Sequence, residues 1–154
     1  MKGKKIHINN EIKEKLTVTP FMPGSPIIVN YTMYKLTNKN MYIPKYFEYE
    51  GETEIIENKI KTCQIKINHE PREYQKQVIN DILTEINTND SCIACLYTGW
   101  GKTFASLYVA SKLGVKTLIL VNKQTLLEQW REQIIKFTEI EPGIIQGKNV
   151  NIEP

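Results

Sequence analysis

The residues best suited to chemistry in this sequence lie in one short block, Leu96-Tyr-Thr-Gly-Trp-Gly-Lys-Thr103. Gly99 and Gly101 permit backbone angles that turn successive N–H groups towards an anion, and a helix beginning at Lys102 would add partial positive charge. Lys102 can reach the β- and γ-phosphates of a nucleotide, and the Thr103 hydroxyl can hold Mg²⁺. The block therefore predicts a phosphate-binding loop; the alternative is a glycine-rich turn that caps a helix.

The segments on either side of this block have the form that such a loop requires. Residues 91–96 are a continuous apolar run, which is typical of a strand buried on both faces of a parallel sheet. Residues 102–113 predict a helix, with Gly114 as its left-handed C-terminal cap. The first glycine of the general pattern G-x-x-x-x-G-K-[ST] is absent, because Leu96 stands in its place.

From Pro71 onwards the apolar residues recur in blocks that alternate between helical and strand patterns. A helix is predicted to begin behind Pro71 and to end within residues 87–90. A second buried strand is predicted at 117–121, a second amphipathic helix at 125–137, and a third strand at 143–146. This succession predicts an α/β fold built on a parallel sheet.

The first 70 residues have a different pattern, in which short runs alternate polar and apolar side chains between prolines. This pattern predicts strands at residues 4–9, 27–34, 41–43 and 63–67. Residues 37–40 look like a hairpin loop, and residues 50–53 look like an exposed turn. We therefore predict two regions, a β-rich N-terminal leader over 1–70 and an α/β domain over 71–154.

The composition excludes several classes of protein. Of the 154 residues, 41% are hydrophobic and 24% charged, an ordinary globular balance that argues against disorder. The net charge of +3 is too small to identify a nucleic-acid-binding protein by electrostatics alone. No apolar run approaches the ~20 residues that a membrane-spanning helix needs. Three cysteines fit an intracellular, reducing compartment with no disulfide framework.

Three motifs resemble those of superfamily 2 helicases and translocases. Thr98-Gly-Trp-Gly-Lys-Thr103 resembles motif I, in which the leading glycine is commonly missing, although Trp100 stands where a small residue is usual. Pro71-Arg-Glu-Tyr-Gln75 resembles the element L-R-x-Y-Q, and residues 118–130 resemble motif Ia. The first 70 residues resemble the leader of such helicases in large DNA viruses. The chain is thus similar, over most of its length, to the N-terminal part of a DExH-type helicase with a RecA-like P-loop fold.

This resemblance implies ligands and the residues that bind them. ATP with Mg²⁺ would be the cofactor, Gln75 would read the adenine edge, and Lys102 and Thr103 would be the catalytic residues, with Thr103 also holding the metal. The full cofactor-binding set would be Arg72, Gln75, Leu96, Tyr97, Thr98, Gly99, Trp100, Gly101, Lys102 and Thr103. Nucleic acid, DNA rather than RNA, would be bound without sequence preference by Asn122, Lys123, Gln124 and Thr125. The alternative for that last set is an ordinary strand-to-helix turn with Thr125 as N-cap.

The resemblance also identifies what these 154 residues lack. Phosphoryl-transfer ATPases of this type need a Walker B carboxylate, and helicases need a second RecA-like domain. No Asp-Glu-x-His or Asp-Glu-x-Asp follows Thr103, and no glutamate beyond Val121 ends an apolar strand.

We therefore expect an incomplete parallel sheet and an N-terminal fragment of an ATP-dependent helicase or translocase. A separate polypeptide would carry the rest of the core, in the host cytoplasm or the virion. The alternative is a stand-alone nucleotide- or nucleic-acid-binding module without turnover.

Two further patterns carry weaker hypotheses. Cys92-Ile-Ala-Cys95 is formally a C-x-x-C, but residues three apart on a strand point to opposite faces, so buried apolar cysteines are favoured over a metal or redox site. Five tyrosines are interspersed with Lys35, Lys39 and Lys45, and packing between strands is favoured over base stacking for them. These tyrosines are Tyr31, Tyr34, Tyr42, Tyr46 and Tyr49.

Overall fold

A computed structural model describes residues 3–21, 23–24, 28–56 and 61–152 of the chain. The chain forms two compact units, Met1–Lys59 and Ile60–Pro154. Each unit has a hydrophobic cluster of its own. Among the described residues, no helix is both long enough and apolar enough to cross a membrane.

The described residues of the first unit form one short helix and six strands. In chain order they are β1 (Gly3–His7), α1 (Asn10–Lys15), β2 (Thr17–Val18), β3 (Tyr31–Thr32), β4 (Lys35–Leu36), β5 (Asn40–Pro44) and β6 (Glu54–Ile56). Four of the strands form an antiparallel sheet in the order β4-β5-β1-β6, and β2 pairs separately with β3. Ile6 lies opposite Met41, and both are buried with Ile12, Leu16 and Ile43.

The hairpin loop predicted for this unit is confirmed, whereas one predicted strand is shorter than expected and one helix was missed. The hairpin loop is present, since the Thr37 backbone N–H donates to the Asn40 carbonyl at 2.9 Å between β4 and β5. The predicted strand at 27–34 begins outside the described residues and is reduced to β3. Helix α1 was not predicted; its N-cap is Asn9, whose Oδ1 accepts a hydrogen bond from the Ile12 N–H at 3.3 Å.

The tyrosines of the first unit differ in their surroundings. Tyr34 and Tyr49 pack against the buried cluster, as the packing hypothesis requires. Tyr42 lies in register with Lys5 on one side and Lys35 on the other. Tyr31 lies opposite Val18 in the pair of β2 and β3, as that hypothesis requires, although it is half exposed. Tyr46 lies in a turn and is 61% exposed, so the prediction of packing between strands is wrong for it.

Within residues 61–152, the second unit has three helices and one hairpin. They are α2 (Glu73–Asn89), α3 (Lys102–Leu113), α4 (Gln124–Thr138), β7 (Ile144–Gln146) and β8 (Asn149–Asn151). Helix α3 has the predicted bounds, and Gly114 caps it in the left-handed region at φ 62°. The apolar faces of α2 and α3 meet in a cluster of Ile79, Trp100, Ala105 and Val109. This contact brings the beginning of α2 to the loop that precedes α3.

Residues 61–70, which the sequence grouped with the leader, contact the helices of the second unit. The Cys63 N–H donates to the Gly114 carbonyl at 2.9 Å, at the end of α3. The Asn68 N–H donates to the Phe137 carbonyl at 3.0 Å, near the end of α4. The predicted strand at 63–67 is wrong, because only Thr62 forms an isolated antiparallel bridge, with Val115. The segment therefore ties the ends of α3 and α4 to the beginning of α2.

The predicted mixture of helices and strands is confirmed, but the parallel sheet is not observed in the described residues. Neither residues 91–96 nor residues 117–121 belong to a strand, and the third predicted strand is β7, which pairs antiparallel with β8. A strand gains its hydrogen bonds and its burial only from neighbouring strands. The two apolar runs lack such neighbours here, and Ile93, Leu118 and Leu120 are 97%, 73% and 84% exposed.

We expect this exposed apolar surface to make the 154-residue protein self-associate, because unpaired apolar segments favour edge-to-edge pairing. Replacing Ile93 and Leu120 together by lysine should shift the mass measured by light scattering towards that of a monomer. The control is Val18→Lys together with Ile55→Lys, which adds the same two charges at side chains of the first unit that are 46% and 61% exposed. A wild-type monomer with one sharp unfolding transition would contradict the expectation.

Candidate phosphate-binding site

The predicted loop is a tight turn that ends in the first turn of α3. The Trp100 N–H donates to the Tyr97 carbonyl at 3.3 Å, and Gly99 and Gly101 have φ angles of 84° and 99°. These values lie in the region that glycine adopts without steric cost. Gly101 is the N-cap of α3, and no acidic residue lies in the first turn of that helix. The first N–H groups of a helix have no intrahelical partner, so this end of α3 fits an anion.

Lys102 is held at the beginning of the loop by two hydrogen bonds. Its Nζ donates to the Leu96 carbonyl at 3.1 Å and to the Tyr97 carbonyl at 2.9 Å. An ammonium group has three donors, so one N–H remains for a phosphate oxygen. Thr103 follows as a half-buried residue of α3. Lys102 and Thr103 are the first two residues of α3, and the roles assigned to them at a nucleotide stay predictions.

Gln75 connects the beginning of α2 to this loop and is only 3% exposed. Its Oε1 accepts a hydrogen bond from the Arg72 N–H at 3.0 Å, and its Nε2 donates to the Trp100 carbonyl at 2.9 Å. The amide retains one further N–H and one further lone pair. Gln75 therefore caps α2 and contacts the loop, and it keeps the donor and acceptor that an adenine edge would need.

Tyr74 is a residue of this site that the set predicted from the sequence omitted. Its hydroxyl donates to the Trp100 carbonyl at 3.3 Å and accepts a hydrogen bond from Arg72 Nη1, also at 3.3 Å. Its position beside Gln75 in the Pro71–Gln75 element was the only signal in the sequence. The same carbonyl thus receives hydrogen bonds from two consecutive residues of α2.

Trp100 lies in the hydrophobic cluster between α2 and α3 and is 4% exposed. It packs with Ile79, Ala105 and Val109. The Tyr74 ring meets it edge to face, with 6.0 Å between ring centroids. The bulky residue at this loop position therefore contributes to the core.

The two glycines of the loop differ in their surroundings. A Cβ atom at Gly101 would lie 2.6 Å from Gln75 Nε2, whereas a Cβ atom at Gly99 would have nothing within 4 Å. Both positions have positive φ, but only Gly101 is also packed against a buried side chain. Gly101 is therefore the position where the approach of α2 depends on the absence of a side chain.

A cavity of about 270 Å³ adjoins the loop between α2 and α3. Cys92, Ala94, Leu96 and Lys102 contribute to its lining, whereas Ile93 is almost fully exposed. Residues 92, 94 and 96 thus share one side of the segment, which is the alternation of a strand. This alternation persists although the segment is unpaired.

The hypothesis of buried cysteines is wrong for this pair. Cys92 and Cys95 are both exposed free thiols, because no sheet covers residues 91–96. Across the described ranges, no three or more His, Cys, Asp or Glu side chains are grouped so that they could hold a metal ion. The role of the Thr103 hydroxyl as a ligand of Mg²⁺ stays a prediction.

The cationic residue nearest in sequence to Gln75 is already paired. Lys76 Nζ lies 2.6 Å from Glu73 Oε2 on the surface of α2. The hydrogen bond that Lys76 donates to Glu73, and then the negative charge of Glu73, raise the pKa of Lys76. Lys102, in contrast, donates directly to two carbonyl groups of the loop.

The predicted nucleic-acid-binding residues lie together at the beginning of α4 and are exposed: Asn122, Lys123, Gln124 and Thr125. The N-cap is Lys123, so the alternative with Thr125 as N-cap is wrong, and Thr125 lies in the first turn instead. Gln124 Nε2 donates to Glu128 Oε1 at 3.0 Å. The side chains of Asn122 and Lys123 are exposed next to the helix end, where a phosphate group could approach.

Known proteins resemble this chain over both units. It is 32% identical to "Putative helicase 161L" of Invertebrate iridescent virus 6 over 145 residues, which cover 89% of this chain and 32% of that protein. It is 39% identical to the DNA 3'-5' translocase XPB2 of Sulfurisphaera tokodaii over 108 residues, covering 68% of this chain and 24% of that one. The chain therefore spans about a third or less of the length of these relatives.

A family match covers the whole loop and the helices around it. Residues 68–153 match the family described as "Type III restriction enzyme, res subunit" (ResIII). The matched range includes Gln75, the loop and the beginning of α4, and it is more than half of the chain. The chain therefore belongs to the ResIII family, and its relatives identify it as similar to the N-terminal part of superfamily 2 helicases.

Proposed function

We propose that this chain binds ATP with Mg²⁺ at the loop between Leu96 and Thr103 and acts as the N-terminal, ATP-binding part of a nucleic-acid helicase or translocase. The observation that supports this most is a set of contacts at one loop. Two glycines at positive φ precede a helix end, Lys102 is held at the loop, and Gln75 contacts the loop from α2. A glycine-rich turn that only caps a helix would need neither the cation nor the buried amide.

Each residue of the site has a distinct role in this proposal. The N–H groups at the end of α3 and Lys102 Nζ bind phosphate oxygens, because both supply positive charge at the loop. Arg72 and Gln75 lie on the adenine side, where Gln75 uses its remaining donor and acceptor. Tyr97 and Thr98 contribute backbone to the loop. Mg²⁺, when bound, would neutralise phosphate charge, with the Thr103 hydroxyl as one of its ligands.

We also propose that residues 91–96 and 117–121 are strands of a RecA-like parallel sheet when the rest of the helicase core is present. A separate polypeptide would supply that core, inside a cell or a virion. The alternating sides of residues 92–96 and the exposed leucines of the second segment support this. Both segments lie before the helices that carry proposed contacts, as in sheets that bind ligands at the carboxyl ends of their strands.

The test of this function is a titration of the 154-residue protein with ATP and Mg²⁺ by isothermal calorimetry. We expect weak, saturable binding, because the loop and Lys102 are present. We expect no steady-state hydrolysis above background, with or without nucleic acid, because no Asp-Glu-x-His or Asp-Glu-x-Asp that could orient the attacking water follows Thr103 in the sequence. If the wild-type protein hydrolysed ATP and Lys102→Ala abolished this hydrolysis, the expectation that the protein lacks a catalytic carboxylate would be wrong. Absence of any ATP binding would contradict the proposed function itself.

The proposed nucleic-acid contact at the beginning of α4 makes a separate prediction. Binding to single-stranded DNA should be weak and independent of sequence, and it should weaken with salt. Lys123→Ala should reduce the slope of log K against log salt by about 0.7, the value for one phosphate contact on a single strand. Lys148→Ala removes an equal charge from the turn between β7 and β8 and should leave the slope unchanged. Equal slopes for wild type and Lys123→Ala would exclude this contact, and parallel titrations with RNA test the preference for DNA.

A further inference from the structure

Trp100 joins the loop to α2 through both its side chain and its main chain. Its indole is 4% exposed and packs with Ile79 of α2 and with Ala105 of α3. Its carbonyl accepts hydrogen bonds from Gln75 Nε2 at 2.9 Å and from the Tyr74 hydroxyl at 3.3 Å. One residue thus connects the adenine side of the proposed site with the phosphate side.

Trp100 lies between two glycines, so the burial of its side chain affects the conformation of the whole loop. Glycines lose more conformational freedom on ordering than other residues, so a loop with Gly99 and Gly101 is intrinsically costly to hold in one conformation. A buried indole fixes the backbone between them, because its rotamer is determined by packing against α2 and α3. The Trp100 carbonyl is then presented to Gln75, and the next residues lead directly to Lys102.

We propose that Trp100 is a positioning residue for phosphate binding, which deepens the proposed function and depends on it. The indole does not contact the nucleotide in this proposal. It holds the loop in the conformation in which the N–H groups of the helix end and Lys102 Nζ converge, so that less ordering remains to be done when the phosphates bind. The affinity for phosphate groups should therefore depend on the buried indole whether or not the ligand carries an adenine base.

The experiment compares variants with two ligands, ATP and inorganic tripolyphosphate, each titrated by calorimetry into the 154-residue protein. Trp100→Ala should bind both ligands at least about tenfold more weakly than wild type, and Trp100→Phe should restore most of the affinity. Leu107→Ala is the matched control, because it removes a buried side chain of α3 that lies outside the cluster holding Trp100. Its affinities should stay within about twofold of wild type, although it should also be less stable.

Amide hydrogen exchange is measured for residues 97–103 and for α4. A general loss of stability would raise the exchange rates of both segments, whereas a loss of loop positioning would raise those of residues 97–103 alone. Exchange in the loop should rise in Trp100→Ala and remain near wild type in Leu107→Ala. Equal losses of ligand affinity in these two variants would overturn the proposal, as would unchanged affinity in Trp100→Ala. If Trp100→Ala does not fold, Trp100→Leu replaces it and the same comparison decides. A wild-type protein that binds neither ligand would instead refute the proposed function.

Discussion

Lys102→Ala is expected to weaken ATP binding by the 154-residue protein about 10- to 100-fold. The substitution removes a charge-assisted hydrogen bond to phosphate, worth roughly 1.5–3 kcal/mol, and leaves the glycines and the helix end in place. It also removes the two hydrogen bonds from Nζ to the Leu96 and Tyr97 carbonyls, which hold the ammonium at the loop before any ligand binds. Calorimetric titration of both proteins with ATP and with ADP measures the difference.

The matched control is Lys112→Ala, in the last turn of the same helix, where Nζ lies over the Tyr108 ring at 5.0 Å from its centroid. It removes an equal charge from α3 at the opposite end from the loop, so ATP affinity should remain near the wild-type value. Equal losses in the two variants would mean that the effect comes from net charge alone. Unchanged affinity in Lys102→Ala would exclude this lysine from the phosphate site.

The elements that the sequence predicted well are those whose ends are determined locally. Helix α3 begins and ends where glycines at positive φ precede and follow it, at Gly101 and Gly114. Both residues are visible in the sequence, because helix ends favour glycine for a reason that needs no distant contact. The end of α4 was also close to the prediction, since an amphipathic period defines a helix from its own residues.

The elements that the sequence predicted badly are those that depend on a partner. Residues 91–96 and 117–121 carry the apolar pattern of buried strands, but a strand exists only if another segment pairs with it. The exposure of Cys92 and Cys95 has the same cause. Helix α1 was missed for a different reason, because its six residues give too little periodicity and its signal is the cap at Asn9.

The candidate site shows the same contrast between local patterns and contacts of distant residues. The loop residues were predicted because glycine, lysine and threonine at fixed spacing have a local chemical meaning. The connections between Gln75, Tyr74 and the Trp100 carbonyl join residues about 25 apart in sequence, and they depend on the packing of α2 against α3. The burial of Trp100 depends on the same packing, so no reading of the loop alone could have found it.

Gly101→Ala is expected to destabilise the protein and weaken ATP binding more than Gly99→Ala. Both substitutions place a side chain at positive φ, which costs roughly 1–2 kcal/mol. Only the Cβ atom at Gly101 would also come within 2.6 Å of Gln75 Nε2. That amide is buried and donates to the Trp100 carbonyl, so displacing it leaves polar groups without partners at a cost of about 1–3 kcal/mol. Urea unfolding and ATP titration measure the two effects.

A double-mutant cycle with Gln75→Ala separates the steric contact from the backbone strain. When Gln75→Ala has removed the amide, the Cβ atom added by Gly101→Ala no longer meets Nε2. The extra cost of Gly101→Ala over Gly99→Ala should therefore disappear. The coupling between positions 75 and 101 should then fall within the range of about 0.5–3 kcal/mol that residues in direct contact show. Gly99, with nothing within 4 Å of its Cβ position, should show no coupling to Gln75. Strictly additive effects at 75 and 101 would mean that the loop and α2 do not constrain each other, and the contact of Gln75 with the Trp100 carbonyl would then have no role in shaping the phosphate site.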